Sequence, residues 1–213
     1  VARNLHGELA QAHKVPTAIS LSLATAIAEV EGDEPALAFL VPLSDANPDD
    51  ADVMAARIEH LLALGKTEDV VGLLTQHEGS VGKALAITLV HARAWDRVQD
   101  LAKAADAYAK ALELGPEDQE VLRGYADVEL RRAAAFDLAA GATRKYKERK
   151  QHQADRDKAR NHAIELLQTS RRVDPDHLPT LELLLDQYEA VKYDDKEEVQ
   201  ALEARIDELK SKG

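Results

Sequence analysis

Three short segments of the chain look alike: Asn47-Pro48-Asp49-Asp50, Gly115-Pro116-Glu117-Asp118 and Asp174-Pro175-Asp176-His177. Each closes one apolar helical stretch and opens another. Pro48 and Pro116 stand 68 residues apart, which is twice 34. A period of this length marks stacked supersecondary units, none of which buries its apolar face alone. With the proline at place 32 of a 34-residue unit, the segments 17–50, 51–84 and 85–118 follow one another without a gap. Counting back from Pro175 ends a further unit at 177, and a last one fits 178–211.

Composition makes these units helical. Hydrophobic residues are 45% of the chain but aromatics only 4%, so alanine and leucine carry the apolar load. Both are strong helix formers, and the β-branched and aromatic residues that favour strands are sparse. No apolar run reaches the roughly 18 to 20 residues needed to span a bilayer.

The 85–118 unit is the clearest. Its second half runs from Asp100 to Pro116 and holds Ala104, Tyr108, Ala111 and Pro116 at places 20, 24, 27 and 32. Small residues let two antiparallel backbones approach, a large one fills the gap between hairpins, and proline stops the helix. This segment closely resembles the second helix of a tetratricopeptide repeat. In 17–50, Leu23, Ala24, Ala36, Leu40 and Pro48 fall on that family's pattern. In 51–84, Leu61, Gly65 and Leu74 fit, while Val70 replaces the small residue and the proline is lost. Leu64-Gly65-Lys66-Thr67 reads there as a helix stop followed by an N-cap. In 178–211, Leu184, Tyr188 and Ala204 fit.

The resemblance implies an all-α, right-handed α-solenoid of about five helical hairpins. The expected organisation is an N-terminal capping helix over 1–16 (with Leu5, Leu9 and Val15 as its apolar residues), three repeats over 17–118, a repeat with an insertion over 119–177, and a C-terminal repeat and capping helix over 178–213.

Pro116 to Pro175 is 59 residues, 25 more than one repeat. The first helix of this unit starts near Gln119 and meets no clear stop before Gly141. The segment Thr143 to Arg160 is charged, free of proline and glycine, and rich in helix formers. It reads as both helices running on into a long projecting hairpin, with an extra short helix after a break at Gly141 as the alternative. Residues 123–172 hold 13 Lys or Arg against 7 Asp or Glu, in a chain whose net charge is −12. Arg144, Lys145, Lys147, Arg149 and Lys150 form a basic cluster suited to an anionic partner, or a solvated face of mixed charge.

In the family the first helices line a concave binding groove. Its places hold Leu21, Thr25 and Glu29, then Asp52 and Glu59, then Leu89, Arg93 and Arg97, then Arg123, Asp127 and Arg131, then Glu182, Asp186 and Glu189. The expected partner-binding residues are Glu59, Arg93, Arg97, Arg123 and Asp127, with the basic cluster. Arginine's planar fork suits carboxylate recognition, so a peptide with an acidic centre is the expected ligand. Local pairing, such as Arg93 with Asp96, is the competing reading. The carboxylate-clamp places of chaperone-binding relatives hold Leu21, Thr25 and Ala56, which does not support docking of a chaperone tail.

No enzyme signature is present, and no metal or cofactor is expected. The chain has no cysteine, which removes thiolate metal sites and thiol nucleophiles. The eight histidines are scattered, and His91 falls on a core place. There is no Gly-rich phosphate loop and no Gly-x-Ser-x-Gly elbow. The acidic net charge argues against whole-surface nucleic-acid binding, and Tyr146 is the one stacking candidate in the basic segment. Val199, Leu202, Ile206 and Leu209 form a narrow seam that either packs the last helix onto its neighbour or mediates self-association.

The function expected is a protein-interaction scaffold or adaptor. Two alternatives are an anion-binding module that docks its basic hairpin on nucleic acid or acidic lipid, and a regulatory domain of a larger protein. The resemblance implies partners of the kind found in bacterial secretion, pilus, motility or cell-envelope assemblies, or in multiprotein complexes generally. The chain opens at Val1 without a Met, which leaves open that it is a piece of something longer. No signal peptide is visible; the cytoplasm is slightly favoured, with the periplasm open if a leader was removed.

Overall fold

Each of the three Pro-containing segments supplies the cap of the helix that follows it. Asp50 accepts from the backbone N–H groups of Asp52 and Val53, both at 3.1 Å. Asp118 accepts in the same way from Glu120 and Val121, both at 3.0 Å. In the third segment His177 takes the role, its Nδ1 accepting from the Thr180 N–H at 3.2 Å. A capped start of this kind satisfies backbone donors that the helix itself leaves unpaired, and is worth about 1 kcal/mol. The fourth residue of each segment is therefore where a helix begins.

A computed structural model of the chain describes residues 16–212. The capping helix expected over 1–16, with Leu5, Leu9 and Val15, lies outside the described residues apart from Pro16. Among the described residues every regular element is helical: α1 (Thr17–Glu31), α2 (Asp33–Ala46), α3 (Ala51–Ala63), α4 (Thr67–Gln76), α5 (Leu85–Arg97), α6 (Leu101–Leu114), α7 (Gln119–Ala142), α8 (Tyr146–Val173), α9 (Leu178–Val191) and α10 (Lys196–Lys212), with a 3₁₀ turn at Glu78–Ser80. The odd-numbered helices α1, α3, α5 and α7 begin at residues 17, 51, 85 and 119, a constant step of 34. None of the described helices is long and apolar enough to cross a membrane.

The chain forms two compact units, one ending at Gln99 and one beginning at Asp100. In the first, α1 packs on α2, α2 on α3, and α3 on α4 and α5. Its core is built from Ala24, Ala36, Leu40, Met54, Ile58, Val70, Leu74, Ile87 and Trp95, all buried. The Thr17 hydroxyl donates to the Asp50 carboxylate at 3.0 Å, so the start of α1 is tied to the cap of α3. Within the 51–84 unit Gly65 adopts φ 68 and ends α3, with Lys66 N–H donating to Leu61 C=O at 2.9 Å, while Gly82, with φ 87, stands at the place of the lost proline. The turn at Gly65 is the glycine-terminated stop the sequence suggests. Thr67, however, is the first helical residue rather than the cap, and Lys66 stands at the cap position without a side-chain bond.

In the second unit α6 packs on α7, α7 on α8, α8 on α9, and α9 on α10. The core is Ala104, Tyr108, Ala111, Val121, Leu122, Ala126, Ala163, Leu167, Leu181, Leu184, Tyr188, Leu202 and Ile206. Alanines at 104, 111, 126 and 163 are all fully covered, as close backbone approach requires. The 25 extra residues lengthen both helices of one hairpin: α7 has 24 residues and α8 has 28, joined by Thr143, Arg144 and Lys145 alone. Gly141 lies inside α7, so the break and separate short helix do not form. Gln119 and Ser170 lock the base of this hairpin, the Ser170 hydroxyl donating to Gln119 Oε1 at 2.7 Å and Gln119 Nε2 donating to the Ser170 carbonyl at 3.1 Å. Of the C-terminal seam, Leu202 and Ile206 are buried, and α9 is the helix that α10 packs against.

Candidate functional site

In the first unit, Glu59 on α3 and Arg93 and Arg97 on α5 share one shallow cavity of about 230 Å³. The helical step explains the grouping. Ala55, Ile58 and Glu59 lie on one face of α3, and Val90, Arg93, Ala94 and Arg97 on the facing side of α5 at spacings of 3 and 4, with Asp96, a second carboxylate, beside them. The floor is apolar, from Ile58, Val90 and Ala94, and the charged groups stand at its rim. Arg97 forks onto the Glu59 carboxylate, Nη1 to Oε1 at 3.2 Å and Nη2 to Oε2 at 3.4 Å. Both side chains are more than half exposed, at 55% and 61%. An ion pair so open to water contributes about 0.2–1 kcal/mol, little enough for an incoming carboxylate to take over the guanidinium.

In the second unit, Arg123 and Asp127 lie one turn apart on α7. Arg123 Nη2 donates to the Asp174 carboxylate at 2.7 Å, at the far end of α8, and Asp127 pairs with Arg131 at 3.6 Å. Arg123 thus closes the same hairpin base as Gln119 and Ser170. The structure places Glu59, Arg93 and Arg97 together, while Arg123 and Asp127 are engaged by neighbours within their own hairpin.

The basic cluster occupies the tip of the long hairpin. Arg144 and Lys145 are in the turn, and Lys147, Arg149 and Lys150 are in the opening turns of α8; all five are exposed. Glu148, the one carboxylate among them, accepts from Lys145 Nζ at 2.7 Å and from the Thr143 hydroxyl at 2.9 Å. Those two hydrogen bonds, the Lys145 bond first, hold its carboxyl below the ordinary range. Arg149 and Lys150 lie over the Tyr146 ring, at 6.0 and 5.3 Å from its centre.

A cluster that sequence reasoning passed over lies midway along the same hairpin. Between α7 and α8 a cavity of about 310 Å³ is lined by Tyr125, Glu129, Arg132 and Phe136 from one helix and Asp155, Lys158, Ala159 and His162 from the other. The Glu129 side chain is only 4% exposed. It accepts from Arg132 Nη1 at 2.7 Å, and His162 Nδ1 stands 3.8 Å away. The Tyr125 ring meets His162 edge-on at 4.8 Å and stacks on Tyr108 at 6.0 Å. Burial, and then the Glu129 charge, push the Tyr125 phenol up to about 12. The sequence does carry a signal for this cluster: Leu122, Tyr125, Glu129, Arg132 and Phe136 follow one stripe of α7, so a carboxylate interrupts an apolar face.

His91, expected in the core, is fully buried on α5 with both ring nitrogens lacking a hydrogen-bond partner. Burial, followed by the nearby His77, lowers its pKa to about 4, with Glu78 opposing. No group of three or more metal-ligating side chains is disposed to hold an ion among the described residues.

No protein-family model and no curated protein matches the chain. Solved structures do. MamA from Desulfovibrio magneticus RS-1 superposes with a TM-score of 0.59 at 13% identity, over 91% of this chain and 94% of that one. YrrB, described as a TPR protein with an unusual peptide-binding site, gives 0.56 at 12% identity, over 89% and 84%. A monomeric mutant of IFIT1 with Gppp-AAAA gives 0.60 at 14% identity, over 88% of this chain and 41% of that one. At these identities the likeness is one of fold: the chain has the all-α, tetratricopeptide-like helical repeat architecture.

Proposed function

We propose that this chain is a protein-interaction scaffold that holds an acidic segment of a partner on the first-helix face of its first unit. The observation that carries the reading is the juxtaposition of Arg93 and Arg97 with an apolar floor, in a cavity where the Arg97–Glu59 ion pair is exposed and exchangeable. A carboxylate that replaced Glu59 on Arg97 would keep the forked geometry and bury an apolar neighbour against Ile58 and Val90. YrrB, with the same fold, has a peptide-binding site. The work done is recognition by shape and charge, with no bond made or broken.

The test is selection of peptides from a random displayed library on the purified chain and on the double variant Arg93→Glu, Arg97→Glu. Enrichment of peptides with Asp or Glu flanked by apolar residues, lost in the double variant, is the expected result. Equal enrichment on both proteins removes this face as the binding site.

A second reading rests on the hairpin tip, where five cations face one carboxylate. There the chain is an anion-binding module, and its partner is polyanionic rather than a single peptide. Titration of the chain with a polyanion at rising salt tests it; the expected result is binding that weakens steeply as salt rises.

A further inference from the structure

Building on that second reading, we propose that the tip of the α7–α8 hairpin docks on an anionic lipid bilayer. The elongation comes first. Twenty-five residues beyond one repeat, shared between two helices, carry the tip about 19 Å past the length of a 34-residue hairpin. The chain as a whole has a net charge of −12 and is repelled by an anionic surface. Screening at physiological salt acts over about 8 Å, so a tip held further out than that meets the surface ahead of the acidic residues at the base of its own hairpin and on α9 and α10.

The shaft that holds it is stiff. Ala133, Ala140 and Ala159 are buried between the helices, Arg156 of α8 donates to Asp137 of α7 at 2.9 Å, and His152 stacks on Phe136. Helix stability does not account for the charges at its end. The positive pole of the peptide dipoles lies at the start of α8, the least favourable place for Lys147, Arg149 and Lys150. Arg144 and Lys147 have no ion-pair partner among the described residues, and Lys145 makes no side-chain cap bond. Exposed apolar groups accompany the cations: Tyr146 is 61% exposed, and Leu138, one turn before the end of α7, is 76% exposed.

Cations with a tyrosine and a leucine at one convex end match the headgroup layer of a bilayer. Lysine and arginine meet phosphates there, while the tyrosine ring and the leucine reach the boundary with the acyl chains. A nucleic-acid strand calls for a row of stacking faces, and Tyr146 is the one aromatic among residues 141–150. An acidic peptide calls for a groove, and none of the cavities described above is lined by residues 141–150.

The experiment is co-sedimentation of the full chain with vesicles of phosphatidylcholine alone and of phosphatidylcholine with phosphatidylglycerol. The same chain is titrated with a single-stranded oligonucleotide and with polyglutamate. The variants are Arg144→Glu, Lys147→Glu, Arg149→Glu and Lys150→Glu together, Tyr146→Ala alone, and Arg93→Glu with Arg97→Glu as a control for the other face. All these positions are exposed, and far-UV circular dichroism checks each fold. Expected is binding to the anionic vesicles only, reduced more than about tenfold by the fourfold reversal and by high salt, weakened by Tyr146→Ala and untouched by the control. Binding to the oligonucleotide or polyglutamate without binding to vesicles would overturn the bilayer as the partner and leave the anion reading standing. Equal binding to neutral and anionic vesicles would overturn the proposal, and binding to none of the polyanions would overturn both.

Discussion

The phenol ring of Tyr108 occupies the space that a side chain at position 124 would need. A Cβ added to Gly124 would stand 2.7 Å from Tyr108 Cζ and 2.8 Å from Cε1. The ring cannot swing aside freely, because it is buried and stacked on Tyr125. Gly124 is therefore the price of placing a large aromatic where α6 and α7 cross.

Gly124→Ala is expected to destabilise the protein by about 1–3 kcal/mol, despite the roughly 1 kcal/mol that alanine gains over glycine within a helix. The two sites touch, so the effects are coupled. Urea unfolding of Gly124→Ala in the wild-type and the Tyr108→Leu backgrounds checks this. A penalty of equal size in both would show that the clash is not with Tyr108.

Gly72 is the contrasting case. It lies inside α4, and a Cβ there meets nothing within 4 Å. Gly72→Ala is expected to raise stability by about 0.5–1 kcal/mol through backbone entropy alone. A lower unfolding midpoint for this variant would contradict the geometry of α4.

His91 makes stability depend on pH. Its folded pKa of about 4 lies below the ordinary 6.5, so the folded state favours the neutral ring. Stability is full above pH 6.5, falls as pH drops towards 4 because the unfolded chain takes up a proton that the folded one refuses, and levels off below that. The loss at pH 5 is on the order of 1–2 kcal/mol. Replacing the ring by a neutral side chain of similar bulk, His91→Leu, is expected to narrow the gap in unfolding free energy between pH 8 and pH 5. The same gap in both proteins would exclude His91 as its source.

Glu129 is far more buried than Arg132, at 4% against 32% side-chain exposure. Removing the arginine strands a carboxylate inside the hairpin, whereas Glu129→Gln leaves a carbonyl that still accepts from the guanidinium. Arg132→Met is accordingly expected to cost about 2–3 kcal/mol and Glu129→Gln about half that. Thermal unfolding of the two variants at neutral pH gives the order, and the reverse order would mean that the carboxylate is better hydrated than its position implies.

Short-range chemistry carried most of the fold. The aspartates after Pro48 and Pro116 cap α3 and α7 from two or three residues away. Gly65 ends α3 by its own backbone freedom, and the helix-forming run after Thr143 continues as α8. Such terms act within a turn or two of helix, so a linear reading finds them, and the 34-residue step follows from their repetition.

What the linear reading left open depends on how helices cross. Arg97 reaches Glu59, 38 residues away on another helix. Glu129 meets His162 across 33 residues, and Tyr108 settles against Gly124 at a helix crossing. Each of these contacts is fixed by the angle and register at which two rigid helices pack, set by side chains spread over both. Composition and spacing thus decide that this chain is a helical repeat, and only the packed hairpins decide which charges meet.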